Sequence, residues 1–159
     1  MERLWAPWRL EYIETADEAA ACFLCAAYAG DDEQGLVVRR GEQAIVVLNK
    51  FPYASGHLLV APHRHEGEFG ALSHEEVLEV HRLAEQGIGA LSQVYSSQGY
   101  NLGWNLGRVA GAGLPGHVHL HVVPRWAGDT SYMPVLADVK VLPEHLLETR
   151  RKLAEAWPN

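Results

Sequence analysis

Cysteine is scarce in this chain of 159 residues: the only two are Cys22 and Cys25. Two cysteines are too few for the disulfide framework of a small secreted domain, and their spacing is that of a metal-binding or redox pair. No apolar run approaches the roughly 20 residues that cross a membrane. The net charge of -7 argues against extended nucleic-acid binding. These absences predict a cytoplasmic protein whose partners are neither membranes nor nucleic acids.

A signal peptide is also missing from the start of the sequence. Glu2 and Pro7 interrupt the stretch where an export signal needs an unbroken apolar core. Repeats, low-complexity tracts and linkers are absent as well, so we expect a single domain over residues 1–159.

The apolar patterning predicts an α+β fold. Period-two and continuous apolar runs indicate about five strands in a largely antiparallel sheet, and Ser73 with Glu76 forms a capping box that starts one long helix. Additional helices are expected towards both termini. The expected strands are 35–39, 44–48, 57–61, 100–106 and one from 117 to Pro124, and the expected helices are 17–29, 73–95 and 143–156.

The most informative segment is His-Val-His-Leu-His, at residues 117–121. In a strand, alternate side chains face opposite ways, so His117, His119 and His121 are expected in a row on one face. An imidazole is a nucleophile, a proton carrier or a metal ligand near neutral pH. From spacing alone, a metal site, covalent chemistry and a surface histidine patch all stay open.

A second motif narrows these alternatives. With His-Val-His-Leu-His-Val-Val followed by Pro-Arg, and Gly-His-Leu-Leu-Val-Ala-Pro at 56–62, the chain resembles the histidine-triad (HIT) nucleotide-binding family. The resemblance covers about residues 22–129, leaving terminal extensions on either side. Leu-Trp-Ala-Pro-Trp-Arg-Leu at 4–10 and the segment 122–129 look like the bacterial branch that includes diadenosine tetraphosphate phosphorylases.

The resemblance implies catalytic roles for three histidines, His119, His121 and His57, and an orienting role for His117. His119 matches the nucleophile that forms a covalent nucleotidyl intermediate, and the backbone carbonyl of His117 matches the group that orients it. His121 matches a histidine that stabilises charge on the phosphate or the leaving group, and His57 matches an additional phosphate-facing histidine. Without the resemblance, His57 is more simply a capping or solvent-facing residue.

The nucleotide-binding set implied by the resemblance also includes His117. Asn49 matches a ribose contact and Asn105 a residue near the phosphates, although each also suits a turn. The glycine-rich loop 107–116 departs from the family pattern because it lacks a serine, threonine or glutamine before the triad. Phosphate contacts there are therefore expected from backbone N–H groups or Arg108, and Arg125 is expected to hold an incoming phosphate.

The resemblance further implies a structural zinc ion. Its ligands would be Cys22, Cys25, His65 and His117, a closed Cys₂His₂ set. His63 is the rival to His65. A redox pair and two idle core cysteines are the alternatives. Magnesium is expected, if at all, with the polyphosphate substrate.

The sequence therefore predicts an enzyme that cleaves a nucleoside polyphosphate, most simply diadenosine tetraphosphate, with inorganic phosphate favoured over water as the acceptor. The alternatives are a purine-nucleotide-binding regulatory module with little turnover, a nucleoside phosphoramidate hydrolase, and a redox or zinc protein. We also expect a homodimer or a higher homo-oligomer, because the resemblance implies sheets that join across a two-fold axis.

Overall fold

The computed structural model describes residues 22–129 and 144–158. These residues form three helices, two short 3₁₀ turns and a five-stranded sheet with the order β1-β2-β3-β5-β4, in which every neighbouring pair is antiparallel. None of the described helices combines the length and apolar character that a membrane crossing requires. The elements in chain order are α1 Phe23–Ala29, β1 Val37–Arg40, β2 Ala44–Leu48, β3 Leu58–Pro62, a 3₁₀ turn Phe69–Ala71, α2 His74–Tyr95, β4 Gly99–Trp104, a 3₁₀ turn Arg108–Ala110, β5 Leu120–Arg125 and α3 Leu146–Glu155. The predicted α+β fold is confirmed.

The two central strands, β2 and β3, are buried on both faces. In β2, Val46 joins a large apolar core together with residues of α2 and α3, whereas Ile45 and Val47 face a smaller core together with α1. Burying an aliphatic side chain of this size contributes about 1.5–3 kcal/mol. This explains why the sequence shows continuous apolar runs here and not alternation.

Helix α2 begins as the capping box predicts. The Ser73 side chain accepts a hydrogen bond from the Glu76 backbone, and the Glu76 side chain accepts one from the Ser73 backbone. One turn later, the buried Glu79 carboxylate accepts hydrogen bonds from the backbone N–H groups of Glu42 and Gln43 in the β1–β2 turn. The first turns of α2 therefore also fasten this hairpin to the helix layer.

Two predicted boundaries are wrong in ways that affect the site. The helix that was expected to carry both cysteines begins at Phe23, with Cys22 as its non-helical N-cap, while 17–21 lie outside the described residues. The strand expected from His117 begins only at Leu120. Upstream of Leu120, the backbone N–H of Val118 donates to the carbonyl of Glu66, at 2.7 Å. Glu66 belongs to a loop, so this hydrogen bond is not part of the sheet.

The remaining differences are smaller. Strand β3 includes Pro62, which was expected to follow it. Strand β1 covers Val37–Arg40 and not 35–39, and β4 ends at Trp104, two residues before the predicted end. Helix α3 starts at Leu146, where His145 caps it, and the proposed start at Pro143 is outside the described residues.

The register of β5 determines which way its histidine points. Leu120 and Val122 enter the large core, so His121 lies on the opposite face, directly across from Leu59 of β3. On the same face of the sheet, the short helix α1 packs against β2.

Candidate active site and metal centre

His119 is one of the buried histidines of the site. It is 7% exposed, and its Nδ1 lies 2.8 Å from the backbone carbonyl oxygen of His117. Because a carbonyl only accepts, Nδ1 carries the proton and the lone pair is on Nε2. Burial lowers the pKa of His119, and the hydrogen bond to the carbonyl opposes this only in part. The ring is therefore neutral near pH 7 and chemically suited to nucleophilic attack.

The rings of His119 and His121 are neighbours, with centroids 5.0 Å apart. His121 continues the group through its Nδ1, which lies 3.0 Å from Nε2 of His57. On its other side, His121 Nε2 lies 3.4 Å from the side-chain nitrogen of Asn105. The structure therefore brings three of the predicted residues, His57, His121 and Asn105, into one group with His119.

His57 differs from the simple expectation of a capping or solvent-facing residue because it is fully buried. Its Nδ1 lies 3.0 Å from the backbone nitrogen of Tyr53 and 3.3 Å from the side-chain nitrogen of Asn49. Since Nε2 faces His121, both ring nitrogens lie within hydrogen-bond distance of protein atoms. The phosphate contact that the resemblance implies for His57 stays a prediction.

Tyr53 is a part of this group that sequence reasoning missed. Its ring is stacked on His121, with centroids 5.8 Å apart, and tilted against His57, at 4.7 Å. Its only signal in the sequence is its position in the turn between Pro52 and Gly56, where Gly56 adopts a φ of +79°. Asn49 fulfils its predicted interpretation as a turn residue, since its side-chain oxygen accepts a hydrogen bond from the Phe51 backbone, at 2.9 Å. Its ribose contact stays a prediction.

His117 faces away from this group and towards the cysteines. Its Nδ1 lies 3.2 Å from Sγ of Cys22 and 3.6 Å from Sγ of Cys25, and Cys25 Sγ lies 3.3 Å from Nδ1 of His65. The expectation of three imidazoles in a single row is therefore wrong. The triad is divided between two sites because the chain is not yet in the sheet at His117.

The four residues fit a tetrahedral metal centre. Their ligand atoms all lie within 4.8 Å of one another. Bonds of about 2.3 Å to sulfur and about 2.0 Å to nitrogen would place neighbouring S and N ligands about 3.5 Å apart, close to the spacing that the protein provides. His117 Nε2 donates to the carbonyl of Pro62, at 2.8 Å, which leaves Nδ1 unprotonated and directed at the cysteines. His63 does not belong to this cluster.

A clamp holds the loop that carries His65. The Arg64 guanidinium binds both carboxylate oxygens of Glu76, at 3.1 and 3.0 Å, and also binds Glu66, at 2.7 Å. The loop is thus tied to the start of α2, and the bond from Val118 to Glu66 ties it to the triad segment. Sequence reasoning missed this clamp because charged neighbours in a loop usually signal only solvent exposure.

Arg125 is not brought to the histidines. Its guanidinium forms an ion pair with Asp129, at 2.6 and 2.9 Å, and donates to the side-chain oxygen of Asn101, at 2.9 Å. Arg125 follows His119 by six positions and lies at the far end of β5, so a fully extended chain would separate the two residues by about 20 Å. This placement does not support the expected phosphate contact of Arg125 beside His119. Arg108 lies on an exposed 3₁₀ turn that follows Asn105 closely in the chain.

A cavity of about 470 Å³ opens next to Asn49. Its walls come from α1, from the loop that follows α1, and from the end of β2 onward, and they combine apolar side chains such as Phe23 and Phe51 with backbone and polar groups. This volume is in the range of small-ligand sites. Asn49 lies at the cavity and also contacts His57, so the cavity adjoins the histidine group.

Comparison with known proteins identifies the family of this chain. A family model described as the HIT domain matches residues 32–128. The chain belongs to the HIT family.

Relatives of this HIT protein include one from Mycobacterium tuberculosis described as AP-4-A phosphorylase, which is 38% identical over 165 residues, covering 99% of this chain and 85% of that protein. An asymmetrical bis(5'-nucleosyl)-tetraphosphatase of Schizosaccharomyces pombe is 30% identical over 95 residues, covering 60% of this chain and 52% of that protein. Among solved structures, a zinc-bound histidine triad family protein from Mycobacterium smegmatis superposes with a TM-score of 0.69 at 25% identity, covering 86% of this chain and 92% of that one.

Proposed function

We propose that this HIT protein cleaves dinucleoside polyphosphates, with diadenosine tetraphosphate as its substrate and inorganic phosphate as its acceptor. The single observation that carries the reaction type is the bond from His119 Nδ1 to the His117 carbonyl, which leaves Nε2 as the nucleophile. The similarity to AP-4-A phosphorylase over nearly the whole chain supports the substrate and the acceptor.

In the first step, His119 Nε2 attacks the α-phosphorus, a P–N bond forms, and the P–O bond to the remaining phosphates breaks so that ATP leaves. The ring acquires positive charge as the P–N bond forms, which strengthens its hydrogen bond to the His117 carbonyl. The nucleotide is then held on His119 as an AMP phosphoramidate. One difficult displacement is thereby divided into two easier ones.

In the second step, an oxygen of inorganic phosphate attacks the same phosphorus, the P–N bond breaks, and ADP is released. In this proposal Asn49 contacts the ribose and the adjoining cavity receives one nucleoside, and the support is that Asn49 lines that cavity. Asn105 and the backbone of the glycine-rich loop would contact the phosphates, and magnesium would accompany the polyphosphate. The similarity to AP-4-A phosphorylase supports phosphate over water as the acceptor. Arg125 adds no support, because its guanidinium is paired with Asp129.

We further propose that Cys22, Cys25, His65 and His117 hold a structural zinc ion. Two thiolates and two imidazoles saturate tetrahedral zinc and leave no position for substrate. The zinc-bound structural relative supports this choice of metal. The ion would hold His117, the residue whose carbonyl orients His119, in place. We also propose that the protein forms a homodimer.

The decisive experiment is product analysis with diadenosine tetraphosphate, with and without inorganic phosphate. ADP and ATP that appear only when phosphate is present would support the phosphorylase. AMP and ATP formed at a rate indifferent to phosphate would instead identify a hydrolase, the activity named for the Schizosaccharomyces pombe relative. Tight nucleotide binding without turnover would favour the regulatory module.

A further inference from the structure

The peptide group between His117 and Val118 is held at both of its ends. Its carbonyl oxygen accepts the hydrogen bond from His119 Nδ1, at 2.8 Å. Its N–H donates to the backbone carbonyl oxygen of Glu66, at 2.7 Å. Because a trans peptide group is planar, its C=O and N–H point in opposite directions, and the direction of one fixes the direction of the other. The Glu66 carbonyl therefore determines how the group that orients His119 is turned.

The backbone at Glu66 is restrained by the side chain of the same residue. One carboxylate oxygen accepts a hydrogen bond from the Glu68 backbone N–H, at 2.9 Å, and the other accepts one from Nη1 of Arg64, at 2.7 Å. These bonds lower the pKa of the Glu66 carboxyl, with the Glu68 N–H contributing most, so the group is charged at neutral pH. The two bonds restrict the turn, and they give the Glu66 carbonyl a defined direction.

Arg64 connects this turn to the start of α2. Its Nε and Nη2 bind the two carboxylate oxygens of Glu76, at 3.1 and 3.0 Å, and Nη2 also donates to the Ala71 carbonyl, at 2.9 Å. Glu76 is buried and closes the capping box with Ser73, so its carboxylate is fixed to the first turn of the helix. A planar guanidinium suits such a two-point contact. Helix α2 thereby sets the position of Glu66.

Close packing carries the position of this loop to the triad segment. A Cβ atom on Gly67 would lie 3.0 Å from the Pro115 carbonyl oxygen and 3.2 Å from Cα of Gly116, so the two backbones are in direct contact. The Val118 side chain is buried. Closely packed groups transmit a displacement instead of absorbing it. A shift of the loop is therefore passed on to the 117–118 peptide.

We propose that Arg64 and Glu66 are positioning residues for the reaction, because they set the direction of the 117–118 peptide and, through its carbonyl, the direction of the lone pair on His119 Nε2. Both act through backbone groups and not on the reacting atoms. The effect on turnover rests on the proposed function, whereas the effect on the peptide rests on the geometry of the loop. A misplaced nucleophile slows the chemical step and leaves substrate binding unchanged.

The first experiment measures amide hydrogen exchange of Val118 by NMR in the full-length protein as purified. Exchange should be slow in the wild type and about tenfold or more faster in Arg64→Ala, because the bond to the loop carbonyl opens more often. Arg82→Ala is the matched control, since Arg82 also binds a buried glutamate of α2, Glu79, at 2.7 Å. That pair holds the β1–β2 turn and not this loop, so Val118 exchange should stay unchanged. Equal acceleration in both variants would overturn the proposal.

The second experiment measures turnover of diadenosine tetraphosphate. Arg64→Ala should lower kcat about tenfold to a hundredfold while KM stays within about twofold. Glu66→Ala removes the link from the loop to Arg64 and should have a similar effect. The double variant should be within about twofold of Arg64→Ala, because both residues act through one contact. Arg82→Ala should change neither constant. A raised KM with unchanged kcat, or additive effects in the double variant, would show that the positioning role is wrong.

Metal content separates two routes by which the loop could act on His117. All four residues of the cysteine and histidine cluster are retained in Glu66→Ala, so this variant should contain as much zinc as the wild type by elemental analysis. Loss of zinc would show that the loop acts through His65 and the metal centre. That result would overturn the route through the 117–118 peptide.

The two experiments fail separately. If the wild type does not cleave diadenosine tetraphosphate, the proposed function fails, while the Val118 exchange rates still decide whether the loop holds the peptide. If Arg64→Ala does not fold, Glu66→Ala decides both measurements, because it keeps the ion pair between Arg64 and Glu76. Unchanged Val118 exchange or unchanged kcat in Glu66→Ala would overturn the proposal.

Discussion

The ring of His117 faces the cysteine pair, while its backbone carbonyl oxygen accepts a hydrogen bond from His119, 2.8 Å away. One residue therefore belongs to both the metal centre and the reactive site. A metal ion bound by the His117 ring would therefore also help to fix the carbonyl that orients His119.

His119→Ala should abolish turnover of diadenosine tetraphosphate, with a loss of about a thousandfold or more, because it removes the attacking nitrogen. Nucleotide binding, measured by calorimetry, should change little. His121→Ala should be milder, at roughly a hundredfold. His81→Ala, an exposed position on α2, is the control. Retention of most activity in His119→Ala would show that another group is the nucleophile.

The purified protein should contain about one zinc ion per chain, and Cys25→Ser should lose it together with thermal stability. Metal content by elemental analysis and the melting temperature are the measurements. His63→Ala should retain the metal, because His63 lies outside the cluster. Normal zinc content in Cys25→Ser, or loss of zinc in His63→Ala, would refute the assigned ligand set.

Ala26→Trp should raise the KM for diadenosine tetraphosphate about tenfold or more, because Ala26 is exposed and lines the cavity next to Asn49, which an indole ring would fill. The matched control is Ala29→Trp, an exposed position on the same helix that does not line the cavity. Equal effects of the two substitutions would show that the nucleoside binds elsewhere.

Arg125→Ala should leave the KM for inorganic phosphate within about twofold of wild type, because the guanidinium is paired with Asp129 at the far end of β5. Steady-state kinetics with phosphate as the varied substrate provides the measurement. Arg108→Ala, near the phosphate-binding loop, should raise that KM. The reverse result would place the acceptor site near Arg125.

Glu79→Gln should destabilise the protein at neutral pH. Burial alone would raise the pKa of Glu79, but hydrogen bonds from Gln43, Glu42 and Arg82 outweigh it and lower the pKa. The unfolded chain then takes up a proton at higher pH than the folded one, near 4.3. The stabilisation is present above that pH and is lost as the pH falls through the lowered folded value.

Unfolding in urea at pH 7 and at successively lower pH tests this expectation. The difference between Glu79→Gln and wild type should shrink as the pH falls below about 4. Glu85→Gln, at an exposed position on the same helix, should show little difference at any pH. A difference for Glu79→Gln that is constant with pH would mean that the carboxylate charge is unimportant.

Local patterns in the sequence were sufficient for the sheet and for α2, whereas the resemblance to the HIT family was needed to add His65 and His117 to the cysteine pair. The Ser73 and Glu76 capping box acts within one turn of helix, and the apolar runs of β2 and β3 are buried wherever the strands pair. The spacing of Cys22 and Cys25 requires only a short helical turn. Such features depend on residues that are close in the chain, so the sequence contains them in full.

The arrangement of the site was decided by tertiary structure. His57 and His121 meet across 64 residues of sequence, and the triad divides because the backbone of Val118 binds a loop carbonyl and not a strand. The groups that set the tautomers, the Tyr53 amide and the carbonyls of Pro62 and His117, are backbone atoms. Nearly every residue carries the same amide and carbonyl, so no residue type marks these partners, and only the path of the folded chain selects them.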